Sequence, residues 1–176
     1  MVTSTQEALW VLRAQCDDRE ALQLLLRSVQ RMLYRYLRGM VGGSSADDVL
    51  QDVLVVLYRR LGSLHAPELF RAWAYRVACR AAFRHLRKEK HWSDQVRDES
   101  VLGDVPAPEL IPSGELLEDV LSMDEVSPAC RAVLVLHFQE ELSLQEVATI
   151  LALPLGTVKS RLAYSLATIR KKLKSN

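Results

Sequence analysis

The sequence predicts an all-α protein of two small helical domains joined by an acidic linker. Three observations carry that expectation. Apolar residues recur at three- and four-residue spacing along most of the chain, and no β-branched alternating run argues for a sheet. Capping residues, Gly and Pro punctuate these runs at helix-length intervals. Residues 93–114 gather Gly103, Pro106, Pro108, Pro112 and Gly114 with acidic side chains, so helix breakers and self-repelling charge fall together in one extended linker. The domains are therefore expected at 1–92 and 115–176.

The elements follow in order. Ser4-x-x-Glu7 and Asp17-x-x-Glu20 have the spacing of capping boxes. After the second, Leu22, Leu25, Leu26, Val29, Met32, Leu33, Tyr36 and Leu37 mark one helix face, which Gly39, Gly42 and Gly43 end. Ser45, Asp47 and Asp48 start the next helix, with Val49, Leu50, Val53, Leu54 and Leu57 as its apolar stripe. Residues 62–67 read as a loop, and a helix from about Leu69 to Lys90 follows. Residues 115–123 have the composition of a short helix. Ser127-Pro128 is a helix start, a capping Ser before a Pro whose missing N–H costs nothing there.

Length and composition bound the function. The chain has 176 residues, 49% hydrophobic and 26% charged, as a folded protein of one or two domains has. No signal peptide and no apolar run of membrane-spanning length stands out, so the expectation is a cytoplasmic protein without membrane insertion. Cys16, Cys79 and Cys130 are far apart and share no ligand spacing with His65, His85, His91 or His137, which argues against a metal site and for three reduced thiols packed as small apolar residues. No phosphate loop, Ser/His/Asp cluster or paired catalytic carboxylate appears, so no enzyme activity, cofactor or small-molecule substrate is expected.

The net charge of +1 conceals a segregation. Residues 1–92 carry 15 Lys/Arg against 9 Asp/Glu, residues 93–127 carry 1 against 10, and residues 128–176 carry 7 against 3. Two basic blocks flanking an acidic strap point to a polyanion partner.

In the second basic block, "SLQEVATILALPLGTVKSRL" (143–162) breaks a good helix and restarts it. Ser143-x-x-Glu146 is a capping box, and Leu144, Val147, Ala148 and Leu151 supply a buried stripe. Pro154 stops the first helix, and Gly156-Thr157 opens a second, with Thr157 as its expected cap. Val158 and Leu162 hold that helix inward and leave Thr157, Lys159, Ser160 and Arg161 at its outward start, where a recognition helix meets the major groove. A helical hairpin with a solvated basic face is the other reading of the same spacing. The turn position that usually holds Gly is Ala152; at positive φ it would be strained by about 1 kcal/mol. Arg170, Lys171, Lys172 and Lys174 read either as phosphate contacts or as solubilising charge.

In the first basic block, Arg76, Arg80, Arg84 and Lys88 recur every four residues, with Arg87 beside them. Such a like-charged stripe repels itself and is better explained by a polyanion. Phe70, Trp73, Tyr75 and Phe83 lie among these charges, and aromatics beside Arg can stack unpaired bases; Phe70, Trp73 and Phe83 have core packing as their alternative. The 47–60 helix shows Asp48, Gln51 and Asp52 beside Val55 and Val56, a face that either docks a partner helix or is merely solvated.

Taken together, "DREALQLLLRSVQRMLYRYL", "ADDVLQDVLVVLYRRL", "FRAWAYRVACRAAFRHLRK" and "LSLQEVATILALPLGTVKSRL" resemble, in order, the successive segments of extracytoplasmic-function sigma factors of the sigma-70 family. The resemblance implies region 2 over 1–92 and a region 4 helix-turn-helix over 115–176. It implies that Asp48, Gln51, Asp52 and Val55 face the clamp of the RNA polymerase core, and that region 4 also docks on the flap. It implies that Phe70, Trp73, Arg76, Arg80, Arg84, Arg87 and Lys88 serve promoter DNA at the −10 element, and Thr157, Lys159, Ser160 and Arg161 at the −35 element. An anti-sigma factor is a further partner that many members of the family have. The chain departs from the common pattern at Arg80 and Arg84, where Asn and Asp are frequent, and at Ala152. Two rival readings are a helix-turn-helix regulator that needs no polymerase and an adaptor whose basic faces bind an acidic protein.

Overall fold

The computed structural model describes residues 4–89 and 126–174, and every regular element among them is helical. The chain divides into two compact units, Met1–His85 and Leu86–Asn176. The acidic linker and the short helix expected at 115–123 lie outside the described residues.

In the first unit, α1 spans Ser4–Gln15, α2 Arg19–Val41 and α3 Gly43–Arg60, and α4, Phe70–Glu89, belongs to it through His85. Helix α2 is built on Leu25, Val29, Leu33, Tyr36, Leu37 and Met40, all fully buried. Leu22, Leu26 and Met32, expected on the same face, are half-buried at its edges. Helix α3 contributes Val49, Leu50, Val53 and Leu57 to this core; Leu54 is half-buried. The core side of α4 is made of small residues, with Ala74, Ala78, Ala81 and Ala82 beside Phe70, Tyr75 and Cys79. Tyr36 ties α2 to α4: its hydroxyl lies 2.7 Å from Cys79 Sγ, and its ring meets Tyr75 edge-on at 5.7 Å. Burial pushes the Cys79 thiol up to about 12, so it stays protonated.

Several helix starts differ from expectation. The cap of α2 is Asp18, whose carboxylate accepts the Ala21 N–H at 3.0 Å. Asp17 instead takes a left-handed conformation (φ 64°) to turn the chain out of α1, which removes it from the capping position. The Ala21 N–H and then Arg13, which donates to the other Asp18 oxygen at 2.8 Å, hold the Asp18 carboxyl below its usual range. Glu7 does not close a capping box with Ser4; it is buried and bonded to α4, as described below. Helix α3 starts at Gly43, ahead of Ser45, because Gly42 at φ 83° ends α2 and re-enters a helix at once. The expected 62–67 loop holds parts of two short 3₁₀ turns, Leu61–Ser63 and Pro67–Leu69. Gln15 fixes this connection by donating to the carbonyls of Leu61 and Leu64, both at 2.9 Å.

In the second unit, α5 spans Pro128–Leu134, with Ser127 capping Cys130 N–H and Pro128 in the first turn. It runs on as one π-helical turn, Val135–Gln139. Helix α6 spans Leu144–Leu151 and α7 Leu155–Leu173. Buried Val158, Leu162, Leu166 and Ile169 pack the inner side of α7, and α7 lies against both α5 and α6. Cys79 and Cys130 are buried as expected of small apolar residues; Cys16, at the exposed end of α1, is not.

Candidate nucleic-acid and protein interfaces

The break in 143–162 is a helix-turn-helix of the expected construction, except that α6 buries Ile150 with Val147 and Ala148 while Leu144 and Leu151 are half-buried, and two further differences of detail concern α7. The Ser143 hydroxyl accepts the Glu146 N–H at 3.2 Å, and the Glu146 carboxylate accepts the Ser143 N–H at 2.9 Å. The Ser143 hydroxyl and then its N–H hold the Glu146 carboxyl below its ordinary value. Helix α6 closes on Ala152 at φ 54°, ψ 46°, the strained conformation anticipated for a residue standing where Gly is usual. The Leu153 N–H then reaches the Ala148 carbonyl at 3.0 Å. The first difference is the cap of α7: it is Pro154, in extended geometry, and Thr157 sits inside the first turn, because Leu155 and Gly156 are already helical. The second is Ser160, whose hydroxyl donates to the Thr157 carbonyl at 3.0 Å. Its proton is committed to its own helix, and only its lone pairs face outward.

The structure places Lys159 exposed and Thr157, Ser160 and Arg161 half-exposed in the first turns of α7. Thr157 and Arg161 are one turn apart on one side, and half-exposed Tyr164 and Thr168 continue that side. Helical spacing alone would have added Tyr164 to the candidates.

On α4 the small-residue core side leaves an opposite face. Counting 100° per residue, Trp73, Arg76, Arg80, Arg84 and Arg87 fall within about a quarter of the helix circumference. Arg80, Arg84, Arg87 and Lys88 are exposed, and Trp73 and Arg76 half-exposed. Phe70 does not belong with them: it is 1% exposed and in phase with Ala74, Ala78 and Ala82, so its ring fills the core and cannot stack a base. Trp73 leans on it at 6.0 Å. Phe83 is half-buried, between its two expected states.

The start of α4 is pinned by an ion pair that no local pattern signals. Arg71 donates to both oxygens of Glu7, at 2.6 and 2.8 Å, so α1 holds α4 through a bidentate contact. The hydrogen bond to Glu7 raises the Arg71 pKa further above its usual value.

On α3, Asp48, Gln51, Asp52 and Val55 are all exposed on the side away from the Val49–Val53–Leu57 core. Tyr58, one turn beyond Val55 and 61% exposed, extends the same face and was not singled out from sequence. Among the described residues no group of His, Cys, Asp and Glu could hold a metal ion, and no helix is long and apolar enough to cross a membrane.

A cationic and aromatic helix face and a helix-turn-helix together are the features of a nucleic-acid-binding protein. Residues 25–91 match the family model of sigma-70 region 2, and residues 122–171 match sigma-70, region 4. The chain belongs to the sigma-70 family. It is similar to the RNA polymerase sigma-H factor of Pseudomonas aeruginosa (29% identity, covering 98% of this chain and 96% of that one). It is also similar to the ECF RNA polymerase sigma factor SigW of Bacillus subtilis (28% identity, 89% and 91% covered). In fold it resembles the sigma factor RpoE of Bartonella quintana, solved with the anti-sigma factor NepR (TM-score 0.64, 21% identity, 86% and 96% covered).

Proposed function

We propose a division of labour for a chain whose family directs RNA polymerase core to particular promoters. Residues 1–92 bind the core and the −10 element, residues 115–176 read the −35 element, and 93–114 link them. The observation that carries this reading is the outward face of α4, where one indole and four arginines line up over a core side of alanines. A single strand needs both kinds of contact, guanidinium for phosphate and an aromatic ring for unstacked bases. Arg76, Arg80, Arg84, Arg87 and Lys88 hold the backbone of the −10 strand, and Trp73 stacks. Thr157, Lys159, Ser160 and Arg161 serve the −35 element, with Arg161 the candidate for a bidentate guanine contact and Ser160 limited to accepting. Asp48, Gln51, Asp52 and Val55 dock the polymerase clamp; region 4 docks the flap.

The chain works in the cytoplasm as an initiation factor and performs no chemistry of its own. Control by an anti-sigma factor fits the similarity to a sigma factor solved with one. The test is a gel shift and in vitro transcription with and without core enzyme. Promoter-specific binding should require core, and Arg161→Ala should weaken −35-dependent initiation by about 1–3 kcal/mol. Tight specific binding by the isolated chain would refute the assignment.

A further inference from the structure

We propose that the groove between α2 and α3 is a binding site for a guanosine nucleotide. The groove measures about 580 Å³, within the range of small-molecule sites, and is lined by Arg27, Gln30, Arg31 and Tyr34 from α2 and Asp47 and Leu50 from α3. These residues lie outside those assigned above to polymerase and promoter, and the inference does not depend on that assignment.

The groove keeps opposite charges apart. Arg27 and Arg31 stand one turn apart on the α2 wall, both exposed, and Asp47 is exposed on the α3 wall. Among the described residues none of these three side chains has an ion pair or a hydrogen bond, although elsewhere in this unit Arg13 meets Asp18 and Arg71 meets Glu7. Two guanidinium forks on one wall and a carboxylate on the other fit a ligand that is anionic at one end and a hydrogen-bond donor at the other. Like charges one helical turn apart repel, and an anion between them relieves both. Each fork can take phosphate oxygens in bidentate fashion, so the pair suits a diphosphate. Half-exposed Tyr34, one turn on from Arg31, supplies a ring on which a base can stack, and buried Leu50 supplies an apolar floor. Asp47 selects the base. A carboxylate only accepts hydrogen bonds, and guanine sets two donors side by side, N1–H and the N2 amino group, to match its two oxygens. Adenine presents the lone pair of N1 there, which the carboxylate repels. A bare polyphosphate meets the same repulsion with no donor to offset it.

The probe is GDP carrying a methylanthraniloyl fluorophore on its ribose, titrated with the full chain by fluorescence anisotropy. We expect saturable binding, with unlabelled GDP displacing the probe about tenfold or more better than ADP or inorganic pyrophosphate does. The double substitution Arg27→Gln, Arg31→Gln should weaken binding about tenfold or more. Asp47→Asn should weaken GDP by a similar factor and shift the preference to xanthosine diphosphate, whose C2 carbonyl accepts where guanine donates. The charge-matched double substitution Arg59→Gln, Arg60→Gln on exposed α3 positions should leave binding unchanged. Glutamine is a good helix former, and circular dichroism should show every variant folded. The proposal is overturned if the probe does not bind saturably, if ADP or pyrophosphate competes as well as GDP, if the control double variant weakens binding as much, or if oligothymidylate displaces the probe more tightly than GDP, which would make the groove a nucleic-acid track.

Discussion

Removing Arg71 should destabilise the first unit far more than removing its partner Glu7, although the two share the same pair of bonds. The asymmetry comes from exposure: the Glu7 side chain is 3% exposed and the Arg71 side chain 49%. In Arg71→Ala the carboxylate stays buried without a counter-charge. Breaking a buried pair from one side costs about 3–5 kcal/mol, and the low end, about 3, applies where water can enter the space the guanidinium leaves. In Glu7→Ala the half-exposed guanidinium is hydrated, and the loss is the net value of charge-assisted bonds partly screened by solvent, about 1 kcal/mol. Adding Glu7→Gln to Arg71→Ala removes the stranded charge and should restore about half of the loss, a gain that a contact of simple packing would not give. Tryptophan fluorescence during urea unfolding reads this in the intact chain, because Trp10 and Trp73 lie in the first unit and no tryptophan lies beyond residue 92. Equal losses for the two single variants, or no gain from the added Glu7→Gln, would refute the reasoning.

Other outcomes follow from the same geometry. With a thiol-reactive dye in the folded state, Cys16 should label fast while Cys79 and Cys130 label only at the rate of unfolding; three equal rates would contradict their burial. Ala152→Gly should stabilise the second unit by about 0.5–1 kcal/mol in thermal melts, since glycine enters the left-handed region without strain but brings more unfolded-state entropy. The Glu146 carboxyl is lowered in the folded chain, so its contribution is present above the unfolded carboxyl pKa of about 4.3 and is lost as pH falls through the lower folded value. Glu146→Gln should therefore reduce the difference in second-unit stability, followed by circular dichroism, between pH 6 and pH 3. Ser143→Ala should lower stability at neutral pH by about 1 kcal/mol.

The helices themselves were legible because Leu25, Val29, Leu33 and Leu37 keep phase over several turns, and so do Val158, Leu162, Leu166 and Ile169. The helix-turn-helix was legible because its capping box and its Pro are local chemistry. Where two adjacent residues had the same capability, sequence could not choose. Asp17 and Asp18 are both good caps, and only the left-handed turn at Asp17 decides between them. Thr157 was expected to cap α7 because threonine is a good cap, yet the chain enters the helix directly from Pro154, which fixes its own φ. Phe70 was misplaced among the DNA contacts because its in-phase companions, Ala74, Ala78 and Ala82, are too small to give a strong apolar signal. The Glu7–Arg71 pair spans 64 residues, and nothing in a local pattern couples them.

The way α4 is attached has a mechanical consequence. Phe70 is embedded in the core, Arg71 is bolted to α1, and the segment just before them is held by Gln15, while the arginines extend toward the far end. The helix is thus a beam clamped at its root and loaded along its length. A polyanion drawn onto those arginines pulls against the whole packed body of the first unit rather than against a hinge. A load on the arginines therefore reaches the packed core directly, through Phe70 and the Glu7–Arg71 pair, with no flexible joint at the root of the helix.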